Sequence, residues 1–156
     1  MSARPGNFPA PRQCYRGTDI YRRMAESPLW VCEPKLNGYR SRAGAEGVCQ
    51  RNGGRLEAWG HPVICDGEWV RGQGFTAFDL LSWGVRDCRS LPYGRRRMLL
   101  EQAFADMGFA IVPLLEGTDP LPAALEAGYE GVVFKHLAKA YPDAHRPAPW
   151  WVKCKS

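Results

Sequence analysis

Lys35 stands in the run Glu33-Pro34-Lys35-Leu36-Asn37-Gly38-Tyr39-Arg40, at the end of an apolar stretch and just before a turn that Gly38 allows to close tightly. A lysine so placed can point inward, where burial and neighbouring positive charge favour the neutral amine, a nucleophile. Charged and aromatic residues follow in clusters: Arg51-Asn52-Gly53, Asp66-Gly67-Glu68, Phe78-Asp79, Glu130-Gly131-Val132-Val133-Phe134-Lys135 and Trp150-Trp151-Val152-Lys153-Cys154-Lys155. Glu68 and Glu130 supply hard oxygen donors of the kind that suit Mg²⁺. Lys153 and Lys155 alternate with Val152 and Cys154, so in a strand both lie on one face, which fits a phosphate clamp as well as it fits solvent. Taken singly, each cluster has a plainer reading. A lysine at a strand end is usually solvated, Phe78 lies in an apolar run suited to a core, and lysines on edge strands discourage aggregation.

The elements that would position these groups are mostly strands. Short β-like runs separated by Gly-rich turns are predicted at Leu29 to Cys32, Tyr39 to Ala43, Gly47 to Arg51, Val63 to Val70 and Phe75 to Ser82. Three more are predicted at Ala110 to Leu115, Gly131 to His136 and Trp150 to Lys155. Helices are predicted from Thr18 or Asp19 through Ala25, from Tyr93 to Met107, and from Pro120, capped by Thr118 or Asp119, up to Gly128. In the second of these, Met98, Leu99, Ala103, Phe104 and Met107 recur near helical spacing and predict its buried stripe. The Arg95-Arg96-Arg97 run at its start reads as solvated. Residues 1 to 16, rich in proline, read as an extended arm ahead of one domain over 17 to 156. The sum is an α+β fold of mostly antiparallel sheets with few helices.

Composition narrows the partners. With 21 Lys and Arg against 16 Asp and Glu in 156 residues, the chain carries +5, which favours an anionic partner such as a nucleotide or nucleic acid. The six cysteines are scattered singly, without zinc-module spacing, and read as free thiols in a reducing compartment. His61, His136 and His145 show no ligand spacing. No apolar run approaches the roughly 20 residues of a membrane-spanning helix, so a cytoplasmic protein without membrane contact is expected.

In this order and company, the clusters resemble the covalent nucleotidyltransferase superfamily and, within it, the ATP-dependent DNA ligases. Lys35 to Arg40 looks like the family's KxDGxR motif, Arg51 like its RNG-type arginine, and Asp66 to Glu68 like its DGE motif. Phe78-Asp79 is similar to the aromatic-Asp motif, Glu130 to Lys135 to EGVVxK, and Trp151 to Lys155 to the closing WxKxK. Tyr141, Pro142, Arg146 and Trp151 look like the residues that ligases carry between the last two motifs. The resemblance implies an ATP-grasp-like nucleotidyltransferase core in which Lys35 attacks the α-phosphate of ATP to form lysyl-AMP. The AMP then passes to a 5′-phosphate end and is displaced by a 3′-hydroxyl. It implies that Glu33, Arg40, Arg51, Glu68, Phe78, Glu130, Lys153 and Lys155 bind the nucleotide, with Phe78 against adenine. Glu68 and Glu130 are the implied ligands of Mg²⁺ or Mn²⁺, and nicked duplex DNA is the implied partner. Alternatives of the same chemistry are an RNA ligase or, less close, a GTP-using capping enzyme. A catalytically impaired nucleic-acid-binding relative is a further one.

Two departures from the family pattern bear on function. Asn37 stands where the family has aspartate, keeping size and hydrogen bonding but losing charge. The sequence also ends at the point where family members continue into an OB-fold domain. The expectation is therefore a minimal ligase core without that domain, monomeric, with a protein partner as an alternative means of replacing it.

Overall fold

The computed structural model describes residues 8–143 and 147–155. The first seven residues of the expected arm, Arg146 of the linker resemblance and His145 lie outside the described residues. Where the sequence length suggests one domain, the chain divides into two compact units. One is Gly38–Val112 with Phe8, and the other is Pro9–Asn37 with the described part of 113–156.

The second unit is a four-stranded sheet with two helices. Its strands are β1 (Pro11–Tyr15), β2 (Trp30–Lys35), β10 (Gly131–His136) and β11 (Ala148–Lys155), in the order β1-β11-β10-β2. β10 runs antiparallel to both neighbours, and β1 lies parallel to β11. β1 falls in the proline-rich segment expected to be an arm. As an edge strand it tolerates Pro11, which has no N–H to give to a ladder. Residues paired directly across strands share a face. One face therefore carries Cys32, Val132, Phe134, Val152 and Cys154, and it is buried with Tyr21, Met24, Leu121 and Ala124 as a core. The opposite face carries Glu33, Lys35, Lys135, Trp151, Lys153 and Lys155.

The helices that supply Tyr21 and Leu121 are α1 (Asp19–Glu26) and α3 (Pro120–Glu126). Thr18 caps α1, its Oγ1 accepting from the Tyr21 N–H at 3.3 Å. Asp119 occupies the cap position of α3 as predicted, but its side chain bonds elsewhere. Its carboxylate accepts from Arg16 Nε at 3.0 Å and from the Tyr21 hydroxyl at 2.7 Å, while the Tyr21 oxygen accepts the Leu121 N–H at 3.1 Å. Tyr21 thus replaces the expected cap. Hydrogen bonds from Arg16 and then Tyr21 hold the Asp119 carboxyl at about 2, below its ordinary 3.8. A carboxyl lowered on folding stabilises the fold above its ordinary value and loses that contribution as pH falls through its folded value. The urea midpoints of the wild type and Asp119→Asn are accordingly expected to differ near neutral pH and to converge as pH approaches about 2.

The first unit is built on β3 (Tyr39–Gly44), β4 (Gly47–Gln50), β5 (Arg55–Glu57), β6 (Val63–Val70), β7 (Gly74–Trp83) and β8 (Arg86–Asp87), in the order β5-β4-β3-β6-β7-β8. All of these pairings are antiparallel; the short β9 (Ala110–Ile111) joins β7 in parallel. The strand predicted from Ala110 to Leu115 stops at Ile111, close before Pro113, which cannot donate to a ladder; Leu115 forms only an isolated bridge with Cys32. Helix α2 (Tyr93–Met107) ends at Gly108, whose φ of 83° is the left-handed conformation that glycine adopts without strain.

The length of α2 matches the sequence, but its buried stripe does not. Met98 and Phe104 are exposed, and the buried positions are Tyr93, Arg96, Arg97, Leu100 and Ala103. Arg96 is drawn inward by Asp79 of β7. Its Nε donates to Oδ1 at 2.7 Å and its Nη2 to Oδ2 at 2.9 Å, and both side chains are fully buried. Arg97 is also buried and donates through Nη2 to the Val112 carbonyl at 2.9 Å. Arg96 and Arg97 are therefore part of the interior rather than a solvated helix start, while Arg95 stays exposed. All six cysteines are buried and free, as expected. Among the described residues, no helix is long and apolar enough to cross a membrane.

Candidate active site

Lys35 is the last residue of β2, on the sheet face turned away from α1 and α3, and the residue paired with it on β10 is Gly131. With no side chain at Gly131, the space over that position is left to the lysine and its neighbours. Lys35 Nζ donates to Glu130 Oε2 at 3.0 Å, and Lys155 Nζ donates to the other oxygen, Oε1, at 2.5 Å. The Glu130 N–H donates to the Lys35 carbonyl at 3.0 Å, which fixes the carboxylate beside the amine. Partial burial would raise the Glu130 carboxyl, but hydrogen bonds from Lys155 and Lys35 outweigh it and keep the carboxyl below its ordinary value. A carboxylate so stabilised is a weak base. Its ion pair with Lys35 fixes where that amine lies at the end of β2.

Deeper on the same face, Glu33 and Lys135 form a buried pair with Lys135 Nζ 2.9 Å from Glu33 Oε1. The ammonium also lies 4.4 Å from the centre of the Trp151 ring, and Trp151 meets Tyr141 edge-on at 5.5 Å. Tyr141 and Trp151, singled out between the last two motifs, are thus in contact. Lys153 is half-buried on this face, and its side chain makes no hydrogen bond or ion pair among the described residues. In the sequence Lys135 is marked only as the last residue of the run from Glu130. Its pairing with Glu33 follows from strand register, which alternation alone does not reveal.

The remaining candidates lie in the other unit. Arg40, on β3, makes a two-pronged contact with Asp66 of β6: Nε to Oδ1 at 2.7 Å and Nη2 to Oδ2 at 2.6 Å, with Asp66 fully buried. Glu68 pairs with Arg40 across the two strands, and its Oε2 accepts the Gly38 N–H at 3.1 Å. Phe78 is half-buried, with the Arg40 guanidinium carbon 5.1 Å from its ring centre. Its neighbour Asp79 points instead to Arg96. Arg51 is exposed on the turn after β4, and Asn37 is exposed. Glu68 and Glu130 belong to different units, and among the described residues no group of three or more His, Cys, Asp or Glu side chains is placed to hold a metal. Mg²⁺ needs no such group, since it is commonly held by one or two carboxylates together with substrate phosphates, and carboxylate oxygens fit it.

Gly38 is demanded by close approach rather than by a left-handed backbone. A Cβ there would clash with the Trp69 carbonyl oxygen and lie 3.1 Å from Val70 Cγ2. Because the obstacle is strand backbone, Gly38→Ala is expected to destabilise the chain by about 1–3 kcal/mol, read as a lowered urea midpoint.

No protein-family model matches the chain. DNA ligase C2 of Mycolicibacterium smegmatis (strain ATCC 700084 / mc(2)155) is 40% identical over 79 residues, which cover 44% of this chain and 22% of that protein. A mycobacterial DNA ligase D complexed with ATP and MES matches with a TM-score of 0.72 at 26% identity, covering 94% of this chain and 60% of that one. The ligase domain of M. tuberculosis LigD matches with a TM-score of 0.70 at 24% identity, covering 94% and 59%. A structure of the Lig E DNA ligases gives 0.70 at 21%, covering 96% and 68%. An archaeal ATP-dependent RNA ligase is also similar, with a TM-score of 0.62 at 20% identity, covering 96% and 48%. The chain spans about a fifth of the curated relative and about 60% of the two ligase D structures. The architecture is that of the nucleotidyltransferase domain of ATP-dependent DNA ligases, and the two ligase D structures match it more closely than that RNA ligase does.

Proposed function

We propose that this chain is the catalytic core of a minimal ATP-dependent DNA ligase. The observation that carries the reading is the amine of Lys35 at the end of β2, held by Glu130, which is shared with Lys155 on the same sheet face. Lys35 gives up its proton to solvent and its nitrogen attacks the α-phosphorus. A P–N bond forms, the bond to the bridging oxygen breaks, and pyrophosphate leaves with the electron pair. Lys153 and Lys155 balance charge on the departing phosphates, where electrostatic stabilisation supplies much of the catalysis. Arg40, Arg51, Glu33 and Glu68 contact the nucleotide, and Phe78 offers a flat face to adenine. Bound Mg²⁺ or Mn²⁺, with Glu68 or Glu130 as ligand, would neutralise phosphate charge. The 5′-phosphate of a nick then takes the AMP from Lys35, and the adjacent 3′-hydroxyl displaces it to seal the strand. The protein acts as a cytoplasmic monomer on duplex DNA.

Sealing assays with ATP and Mg²⁺ on one nick placed in duplex DNA or in RNA test the reading. The DNA nick is expected to be joined faster, and joining of the RNA nick alone would make the protein an RNA ligase. The exposed amide at Asn37 supports one rival, an impaired relative that binds nucleic acid. Binding of the nicked duplex without any lysyl-AMP would decide for that rival.

A further inference from the structure

Phe8 comes from the proline-rich start of the chain, to which the sequence assigns no role, yet it is only 5% exposed. Its ring belongs to the same unit as three arginines and is close to all of them. The guanidinium carbons of Arg42, Arg40 and Arg51 lie 4.7, 5.5 and 5.9 Å from the ring centre. The three arginines are held differently. Arg40 is anchored by Asp66, and Arg42 is buried in β3. Arg51 sits exposed on a turn and makes no hydrogen bond or ion pair among the described residues, so the Phe8 ring is the contact that places it. The negative face of an aromatic ring attracts guanidinium groups that would otherwise repel one another, and an ordered long side chain loses less freedom when it binds a ligand.

We propose that Phe8 is a positioning residue that holds Arg51 ready for the nucleotide. This rests on the function proposed above. The phosphates of ATP are the ligand toward which Arg51 is held, and Phe8 itself does not touch them. Leucine at position 8 keeps apolar bulk and removes the π-face, whereas tryptophan restores it.

The test measures the rate of lysyl-AMP formation against ATP concentration in the wild type, Phe8→Leu and Phe8→Trp, with urea midpoints to establish folding. Phe8→Leu is expected to raise the half-saturating ATP concentration about two- to fivefold, the range given by a cation–π contact of about 0.5–1 kcal/mol, with the maximal rate little changed. Phe8→Trp should recover the wild-type value, and Phe8→Leu should add little in an Arg51→Ala background. The Arg51 Hε resonance, shifted upfield by the ring in the wild type, should move downfield in Phe8→Leu and return in Phe8→Trp. An unchanged half-saturation together with an unmoved Arg51 resonance overturns the proposal. A lowered half-saturation in Phe8→Leu also overturns it, because the ring would then be obstructing the site. If the wild type forms no lysyl-AMP, the functional reading falls, and the Arg51 resonance still decides whether the ring holds that side chain.

Discussion

Arg96→Met is expected to destabilise the chain by about 3–5 kcal/mol, a large share of a typical domain's stability, because Asp79 would be left as an uncompensated charge in a dry interior. Both partners are fully buried, and the third anchor of Arg96, its Nη1 donating to the Leu91 carbonyl at 2.6 Å, lies at the approach to α2. Water does not reach the two bonds between the Arg96 and Asp79 side chains. Removing both charges together has a different outcome. An Asp79→Leu and Arg96→Met double variant is expected to recover most of the loss, since buried ion pairs are often replaced by apolar residues at little net cost. Urea denaturation of the two single variants and the double variant measures the coupling directly, and equal losses in single and double variants would contradict the assignment.

The same pair shows why some of the molecule was legible in the sequence and some was not. Strand β6 and helix α2 have the predicted bounds, and β10 does too, because period-two and helical patterns bounded by glycine or proline are local signals. Which face of α2 turns inward is not a local property. Tyr93, Arg96, Leu100 and Ala103 do follow helical spacing, but scoring arginine as polar hides the stripe that Asp79 stabilises from another element. Strand β1 was hidden in the same way, because its partner β11 lies at the far end of the sequence and the pairing is parallel. Among the candidate residues, Lys35, Glu130 and Lys155 are brought together by the pairing of β2, β10 and β11. The cross-strand contacts Glu33–Lys135 and Arg40–Asp66 depend on register, which the sequence does not display.

Lys35→Ala is expected to abolish lysyl-AMP formation and, with it, sealing of an ordinary 5′-phosphate nick. Among the described residues no other amine on the sheet face stands in the same position: Lys155 is bonded to the opposite oxygen of Glu130, Lys135 is buried against Glu33 and Trp151, and Lys153 lies at the register of Val133 and Glu33 rather than of Gly131. Lys35→Arg retains the ion pair with Glu130 but supplies a guanidinium that stays protonated, so it too should be inactive. Both variants are expected to remain folded, because Lys35 is a partly exposed strand-end residue whose ion pair contributes about 1 kcal/mol or less. If a nick carrying a pre-adenylated 5′ end is supplied, the first step is bypassed. Sealing of that substrate by Lys35→Ala would separate the loss of the nucleophile from loss of the DNA site.

The most direct test of the central claim is the intact mass of the purified protein before and after incubation with ATP and Mg²⁺. The wild type is expected to gain the mass of one AMP, located by peptide mapping on Lys35 and absent from Lys35→Ala. An unchanged wild-type mass, or an adduct that persists in Lys35→Ala, would contradict it.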